Sequence, residues 1–324
     1  MRFGVIGGGG MAGYHALNIT RIPGSTLVAC GAPEYSQFTR DVAAKVEAPC
    51  YATGADVLAR TDIDAVVIAT PTDTHKEMTL AALQAGKHVF VEKPIARSLT
   101  DAAAMIEAAA RYQRKLMPGQ VVRYFREYAS ARDLVIAGEI GTPAVARTVR
   151  NGTVPGGGRH WYGDIARSGG VALDLLVHDY DWLRWVFGPA ERVYAKSMKH
   201  AGTDGKDAML TIVRFANGVI AHSEASWAYP SGWNAAFELA GSGGLINHAD
   251  GAVRDITLNA AAGSGATLAP DSGIEDAYLH QLRDFATWCA GGPAPRCVAE
   301  DGYEALRMSL AAYESAQTGK AITL

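Results

Sequence analysis

The feature that most limits the fold lies in the first thirteen residues. An apolar run, Met1-Arg2-Phe3-Gly4-Val5-Ile6, passes directly into Gly7-x-Gly9-x-x-Ala12-Gly13 and then into a helical pattern. Each small residue has a physical task. Gly7 allows a tight turn, Gly9 lets backbone approach a pyrophosphate, and Ala12 lets the helix pack closely on the strand. The helix start, with Gly10 and Met11, offers N–H groups and a positive partial charge to phosphates. A strand, a glycine turn and a helix in this order predict a dinucleotide-binding βαβ unit. The competing reading is a tight turn with no ligand.

The alternation continues. Apolar runs at 3–7, 27–30, 65–69, 88–92 and 116–119 are separated by helical patterns at 11–22, 37–46, 76–85 and 99–111. Unbroken β-branched runs such as Ala65-Val66-Val67-Ile68 suit strands buried on both faces of a parallel sheet. The chain is thus α/β, with an N-terminal Rossmann domain, a doubly wound parallel sheet, over 1–120. After Gly119 the pattern changes. An apolar helix at 170–187 precedes strand-like runs at 192–196, 208–215, 219–227 and 234–240, and two helices at 274–290 and 299–318 close the chain. Ala216-Asn217-Gly218 reads as a hairpin turn, which predicts an antiparallel or mixed sheet in a second, α+β domain over 121–324. Met209, Thr211, Val213 and Phe215 alternate with Leu210, Ile212 and Arg214, so both faces of that strand are largely apolar. Helices cover one face, and a second subunit is the economical cover for the other. Gly- and Pro-rich patches at 155–158, 260–273 and 291–295 read as loops.

Composition excludes several partners. A chain of 324 residues with net charge −3 and no Lys/Arg cluster has no electrostatic case for nucleic acid or an anionic membrane. No apolar run approaches the roughly 20 residues that span a bilayer. The N-terminus reads as the first strand, leaving no room for a signal peptide. Cys30, Cys50, Cys289 and Cys297 show no metal-binding spacing and read as reduced thiols of a cytoplasmic protein.

Three further places carry chemistry. The second strand ends Cys30-Gly31-Ala32-Pro33 with no carboxylate before Glu34. NAD sites usually place an acid there for the ribose diol. Glu34 can serve, or the space suits a 2′-phosphate with Ser36 or Arg40, so the cofactor is NAD or NADP with a slight lean to NADP. Glu92-Lys93-Pro94 ends the run at 88–92, at the carboxyl edge where such sheets bind ligands, though a solvated lysine fits there equally. On the helix at 170–187, Asp174 and His178 are i and i+4 and share a face, with Asp181 a turn further. That stripe on an otherwise apolar helix admits an internal hydrogen-bond network, a general acid/base, or part of a metal site. No third and fourth ligands are evident, so no metal is expected.

These pieces together resemble the family of glucose–fructose oxidoreductase, inositol dehydrogenase and rhizopine-catabolism oxidoreductases. The carriers are Val5-Ile6-Gly7-x-Gly9-x-x-Ala12-x-x-His15, Ala69-Thr70-Pro71-x-x-x-His75, Ala85-Gly86-Lys87-His88-Val89, Glu92-Lys93-Pro94, and Gly169-Gly170 leading to Asp174-x-x-x-His178. The resemblance spans essentially the whole chain and implies a mostly antiparallel open sheet in the second domain, with homodimers or homotetramers built on it. It implies an NAD(P)-dependent oxidoreductase moving hydride between nicotinamide and a sugar, sugar-derivative or cyclitol alcohol.

By motif, Lys93 would hydrogen-bond the reacting hydroxyl, His178 would take or return its proton, and Asp174 would orient both. Thr70, Pro71 and His75 would lie along the cofactor and Glu92 near the nicotinamide ribose. The Lys93-Pro94 bond is expected to be cis, a geometry tolerable before proline. Gln120 stands where the family often has Asn or His ahead of an Arg-Phe pair, here Arg123-Tyr124-Phe125. Gln120 and Arg123 are therefore candidate substrate contacts in an altered pocket. His160 and Trp161, after the glycines at 156–158, are candidates for a loop that stacks on a sugar, or for a packed corner. Two alternative functions share these residues: a glycoside-cleaving enzyme that uses NAD as a resident redox catalyst, and a non-catalytic dinucleotide-binding regulator.

Overall fold

The computed structural model describes residues 1–32, 36–155, 161–199, 207–249, 256–260, 265–268 and 276–324. Glu34, Arg159, His160 and the glycine-rich stretches 156–158, 261–264 and 269–273 lie outside the described residues. The chain divides into two units, residues 1–124 with 275–303, and residues 125–274 with 304–324.

The first unit runs β1 (Arg2–Ile6), α1 (Gly10–Ile19), β2 (Thr26–Gly31), α2 (Gln37–Lys45), β3 (Cys50–Tyr51), α3 (Gly54–Leu58), β4 (Ala65–Ile68), α4 (His75–Gln84), β5 (His88–Val91), α5 (Leu99–Arg111) and β6 (Leu116–Pro118). All six strands are parallel in the order β3-β2-β1-β4-β5-β6. This is the doubly wound order, and its reversal between β1 and β4 opens the crevice where nucleotides bind. Every residue of β4 is buried, as the unbroken apolar run requires. The two-residue β3 and five-residue α3 are too short for a periodic signal and were not expected.

The second unit begins with α6 (Arg126–Ile136), β7 (Pro143–Thr153) and α7 (Ile165–Ser168). A π-helical turn at Ala172–Leu176 leads into α8 (Val177–Phe187), and the strands β8 (Ala190–Lys199), β9 (Asp207–Phe215), β10 (Ile220–Ser226), β11 (Ala228–Gly241), β12 (Gly244–Ala249), β13 (Ile256–Ala260) and β14 (Gly265–Leu268) follow. The chain ends with α9 (Ala277–Cys289), α10 (Ala299–Thr318) and β15 (Ile322–Thr323). Nine strands form one sheet, β14-β13-β12-β11-β7-β10-β9-β8-β15. Only the β7–β10 pair is parallel. One face is packed: Tyr128 of α6 and Trp182 of α8 lie at ring-centroid distances of 5.0 and 4.8 Å from Phe237 of β11.

Several local expectations need correction. The patch at 260–273 contains β14, and the strand-like run expected at 234–240 begins earlier, as β11 from Ala228. β7 gave no apolar run because it buries Arg150, paired with Asp179 of α8 at 2.9 and 3.0 Å. The expected helix 170–187 is helical throughout, with a π-helical turn at Ala172–Leu176 within it, and has Gly169 and Gly170 at its start, with φ of +81° and +63°. Residues 275–303 belong with the first unit, although the sequence boundary assigned them to the second. The cause is the apolar face of α9, whose Phe285 packs 6.3 Å from Phe3 and 5.8 Å from Phe90 on the parallel sheet.

Candidate active site

Gly7 is required by the chain itself. Its φ is +151°, and a Cβ there would stand 2.3 Å from the Ala69 carbonyl oxygen at the end of β4. Gly9 and Gly10 are different. Both are exposed, and a Cβ on either would meet nothing within 4 Å. The fold has no need for two bare residues there, whereas a pyrophosphate approaching the backbone does. Helix α1 starts at Gly10 without a side-chain cap and without an acidic residue in its first turn, so its positive end meets no anion from its own sequence. Ala12 is buried against Gly7 and Met11 is half-buried. These residues fit a dinucleotide. Ser36 donates to the Gly8 carbonyl at 2.9 Å, and the Arg40 guanidinium donates to the Ala32 carbonyl at the end of β2 at 3.1 Å.

The turns after β4 and β5 are joined by a buried imidazole. His75, at the start of α4, places Nδ1 2.9 Å from the Pro94 carbonyl and Nε2 3.0 Å from the Thr70 carbonyl. Burial lowers its pKa, and the two carbonyls oppose that only in part. His75 is thus buried between the backbone of Thr70 and that of Pro94, the turns expected to lie along the cofactor. The Thr74 hydroxyl bonds Thr70 Oγ1 and the Pro71 carbonyl, each at 2.7 Å, closing the Thr70-Pro71 turn.

Glu92 is buried, with Oε1 2.6 Å from His15 Nε2 and Oε2 accepting the Lys93 N–H at 3.1 Å. Burial raises its pKa, but the His15 hydrogen bond and charge, with the Lys93 ammonium and N–H, outweigh this and hold the carboxyl below its usual range. His15 itself is an omission of the sequence reasoning, which quoted it in a motif but gave it no role. Its signal was position, since buried Ala12, His15, Ala16 and Ile19 share the inner face of α1. The Lys93–Pro94 peptide is cis, and the Lys93 side chain is half-buried at the carboxyl edge of β5.

Gln120 and Arg123 separate. Gln120 follows β6, one place beyond Gly119, whose N–H bonds the Val91 carbonyl at 2.8 Å. Its carboxamide is buried without a hydrogen-bond partner among the described residues. Arg123 is committed elsewhere: the buried guanidinium donates to the Arg296 carbonyl at 2.6 Å and pairs with Asp301 at 3.2 Å. A guanidinium spent on holding residues 296–301 is a structural tie, and the expectation of a substrate contact is corrected.

In the second unit, Asp174 lies in the π-helical turn and is 8% exposed, and His178 is half-buried in the first turn of α8. Such turns recur at functional sites because they re-aim side chains within a helix. Asp207 anchors the start of this segment. Its Oδ2 accepts the Val171 N–H at 3.3 Å and would lie 2.6 Å from a Cβ on Gly170, so Gly170 admits the carboxylate as well as the positive φ. Neither Arg150 nor Asp207 had a usable sequence signal. Trp161 stacks on Tyr162 with ring centroids 4.1 Å apart. No group of three or more His, Cys, Asp or Glu among the described residues is gathered as metal ligands would be, and none of their helices is long and apolar enough to cross a membrane.

Comparison with known proteins settles the family. Residues 1–120 match the model of the GFO/IDH/MocA oxidoreductase family with an NAD-binding Rossmann fold, and residues 128–247 match the family's C-terminal domain. The chain belongs to the GFO/IDH/MocA oxidoreductases. It is similar to scyllo-inositol 2-dehydrogenase (NAD(+)) of Bacillus subtilis, 31% identical over 100% of this chain and 96% of that one. It is similar also to myo-inositol 2-dehydrogenase of Thermotoga maritima, 30% identical over 100% and 98%. Among solved structures, GenD2 from gentamicin A biosynthesis in complex with NAD superposes with a TM-score of 0.87 at 26% identity, covering 100% of this chain and 96% of that one. This GFO/IDH/MocA member is accordingly an oxidoreductase whose first unit is an NAD-binding Rossmann domain.

Proposed function

We propose that this protein oxidises a secondary hydroxyl of an inositol-like cyclitol or a sugar, or reduces the matching ketone, with Lys93, Asp174 and His178 acting on that hydroxyl. The observation that carries the reading is Lys93 itself, at the carboxyl edge of β5 in an NAD-binding sheet, its N–H bonded to Glu92 and the next residue's carbonyl, Pro94, contacted by His75. A dinucleotide held at Gly7, Gly9, Gly10 and the start of α1 would supply the hydride acceptor or donor. The Lys93 ammonium donates a hydrogen bond to the substrate oxygen and stabilises the negative charge that grows there as the proton leaves. The His178 imidazole takes that proton in oxidation and returns it in reduction. Asp174, one helical turn earlier, orients substrate and imidazole. Gln120, just after β6, and Trp161 line the substrate side in this reading.

The end of β2 bears on NAD against NADP. None of the described residues 26–32 is acidic, and Arg40 reaches the Ala32 carbonyl. An arginine so placed accommodates a 2′-phosphate. The open face of the nine-stranded sheet, with Val145, Leu210, Ile212 and Ile220 each about half exposed, is the surface through which we propose the chain forms a homodimer or homotetramer. The test of function is a panel of myo-inositol, scyllo-inositol, aldoses and sugar acids with NAD and with NADP, following absorbance of the reduced nicotinamide. Turnover of at least one polyol, lowered by about 10²–10⁴-fold in Lys93→Met, is expected. A panel with no turnover and no dinucleotide binding overturns the reading.

A further inference from the structure

The segment that carries Lys93 leaves the sheet just after the Glu92 N–H bonds the Ile68 carbonyl at 2.8 Å. From there to α5 the backbone is irregular, so side chains that grip it help to set its position. Two of these are buried histidines. His15 reaches from α1 to the Glu92 carboxylate at 2.6 Å, and that carboxylate returns to the Lys93 N–H. His75 reaches from α4 to the Pro94 carbonyl at 2.9 Å. The residues on either side of Lys93 are thus each held by an imidazole from a different helix.

Both rings are enclosed. His15 packs edge-on to Phe90 with centroids 5.2 Å apart and lies 6.3 Å from the Tyr278 ring, and the neutral His75 ring, with one N–H, donates to the Pro94 or the Thr70 carbonyl according to its tautomer. Their exposures are 0% and 1%, so neither meets solvent or a small molecule directly. Any influence they have on chemistry passes through the turn. Burying two imidazoles costs desolvation that an apolar pair would avoid. Both are spent on the residues flanking Lys93.

We propose that His15 and His75 are positioning residues for the Lys93 ammonium, forming a two-histidine bracket that sets where it meets the substrate hydroxyl. The proposal rests on the reading of Lys93 given above. A displacement of about 1 Å at a reacting group is enough to cost about 100-fold in rate.

The test uses variants that keep or remove the donor aimed at the turn. His15→Gln keeps a donor near the Nε2 position and His75→Asn keeps one near Nδ1, whereas His15→Leu and His75→Leu keep neither. With the polyol of highest turnover among myo-inositol, scyllo-inositol and D-glucose, the Leu variants are expected to lower kcat by about 10- to 100-fold. The Kd for the dinucleotide, read by fluorescence, should stay within about threefold, and the conservative variants should recover most of the loss. In a Lys93→Met background the Leu substitutions should cost little more, because the group they position is gone. Equal fold-losses with and without Lys93 overturn the bracket. If the Leu variants do not fold, His75→Asn and His75→Gln decide: Gln keeps the donor to Thr70 instead of Pro94, so equal kcat in the two overturns it. Wild-type turnover in Lys93→Met alone overturns the reading of Lys93 and the bracket together, whereas an impaired Lys93→Met with multiplicative losses overturns the bracket only.

Discussion

The Nε2 atom of His15 lies 2.6 Å from Oε1 of Glu92, inside the sheet–helix interface and 77 residues away in sequence. This contact joins the glycine-turn helix to the strand end that bears Lys93. Removing the carboxylate strands a buried imidazole, which costs about 1–3 kcal/mol. Glu92→Ala should therefore lower stability to urea by that amount, and Glu92→Gln, which keeps an acceptor, by clearly less. Equal losses for the two variants would show that the hydrogen bond is not what matters.

Lys93→Met and His178→Asn should each reduce turnover by about 10²–10⁴-fold, the usual scale for a general acid–base group. The Kd for the dinucleotide should change only slightly, since neither change touches the glycine turn. Steady-state kinetics with the best polyol checks this, and a variant that turns over like wild type removes that residue from the mechanism.

The fold was legible where local pattern and environment agree. Ala65-Val66-Val67-Ile68 is a buried parallel strand by composition alone, and Leu99–Arg111 is helical in both sequence and structure. β7 was hidden because its interior position is held by an ion pair, Arg150 with Asp179, and a charged residue in a strand reads as surface. Within the site, the motifs named the right neighbourhoods but not the direction of each side chain. His75 and Arg123 both turned out to bond carbonyls of their own chain. Periodicity reports which face a residue occupies, and the partner it finds there depends on contacts distant in sequence, as between Arg123 and Arg296.

The glycines of the first turn should divide by role. At Gly7 a Cβ collides with the Ala69 carbonyl, so Gly7→Ala should lower the melting temperature whether or not a dinucleotide is present. At Gly9 and Gly10 a Cβ meets open space, so Gly9→Ala and Gly10→Ala should leave the free protein as stable as wild type. Their effect should fall on the dinucleotide, with Kd raised about tenfold or more as backbone approach is blocked. Thermal unfolding with and without NAD separates the cases, and unchanged NAD affinity in Gly9→Ala would locate the pyrophosphate elsewhere.

His75 also links stability to pH. Its folded pKa is pushed below the ordinary 6.5 by burial. Between the folded and unfolded values the unfolded chain binds the proton and the folded chain does not, so stability rises with pH there. The contribution is present in full above pH 6.5 and is lost as pH falls through the folded value. His88, lowered by burial and by Arg114 and Lys115, acts in the same direction. His75→Asn removes only the first part, so its stability deficit relative to wild type should shrink as pH is lowered from about 7 to about 5. A deficit constant across that range would mean the ring does not titrate on unfolding.

The open sheet face gives the last prediction. On β9, Leu210 is 51% and Ile212 48% exposed, while Met209, Thr211 and Val213 between and beside them are buried. Ile212 stands opposite Tyr194 on β8 and His222 on β10, and Ile220 stands opposite Val145 on β7 and Arg214 on β9, so this face mixes exposed apolar residues with polar ones. A stable subunit contact buries upward of about 1,000 Å², and its apolar centre tolerates an unpaired charge poorly. Ile212→Glu should therefore shift the protein from an oligomer to the 34.2 kDa chain in sedimentation. Because the side chain points away from the packed face, the circular dichroism spectrum should be retained. A wild-type protein that already sediments as a single chain would refute the interface, and an Ile212→Glu protein that stays oligomeric would move it to another surface.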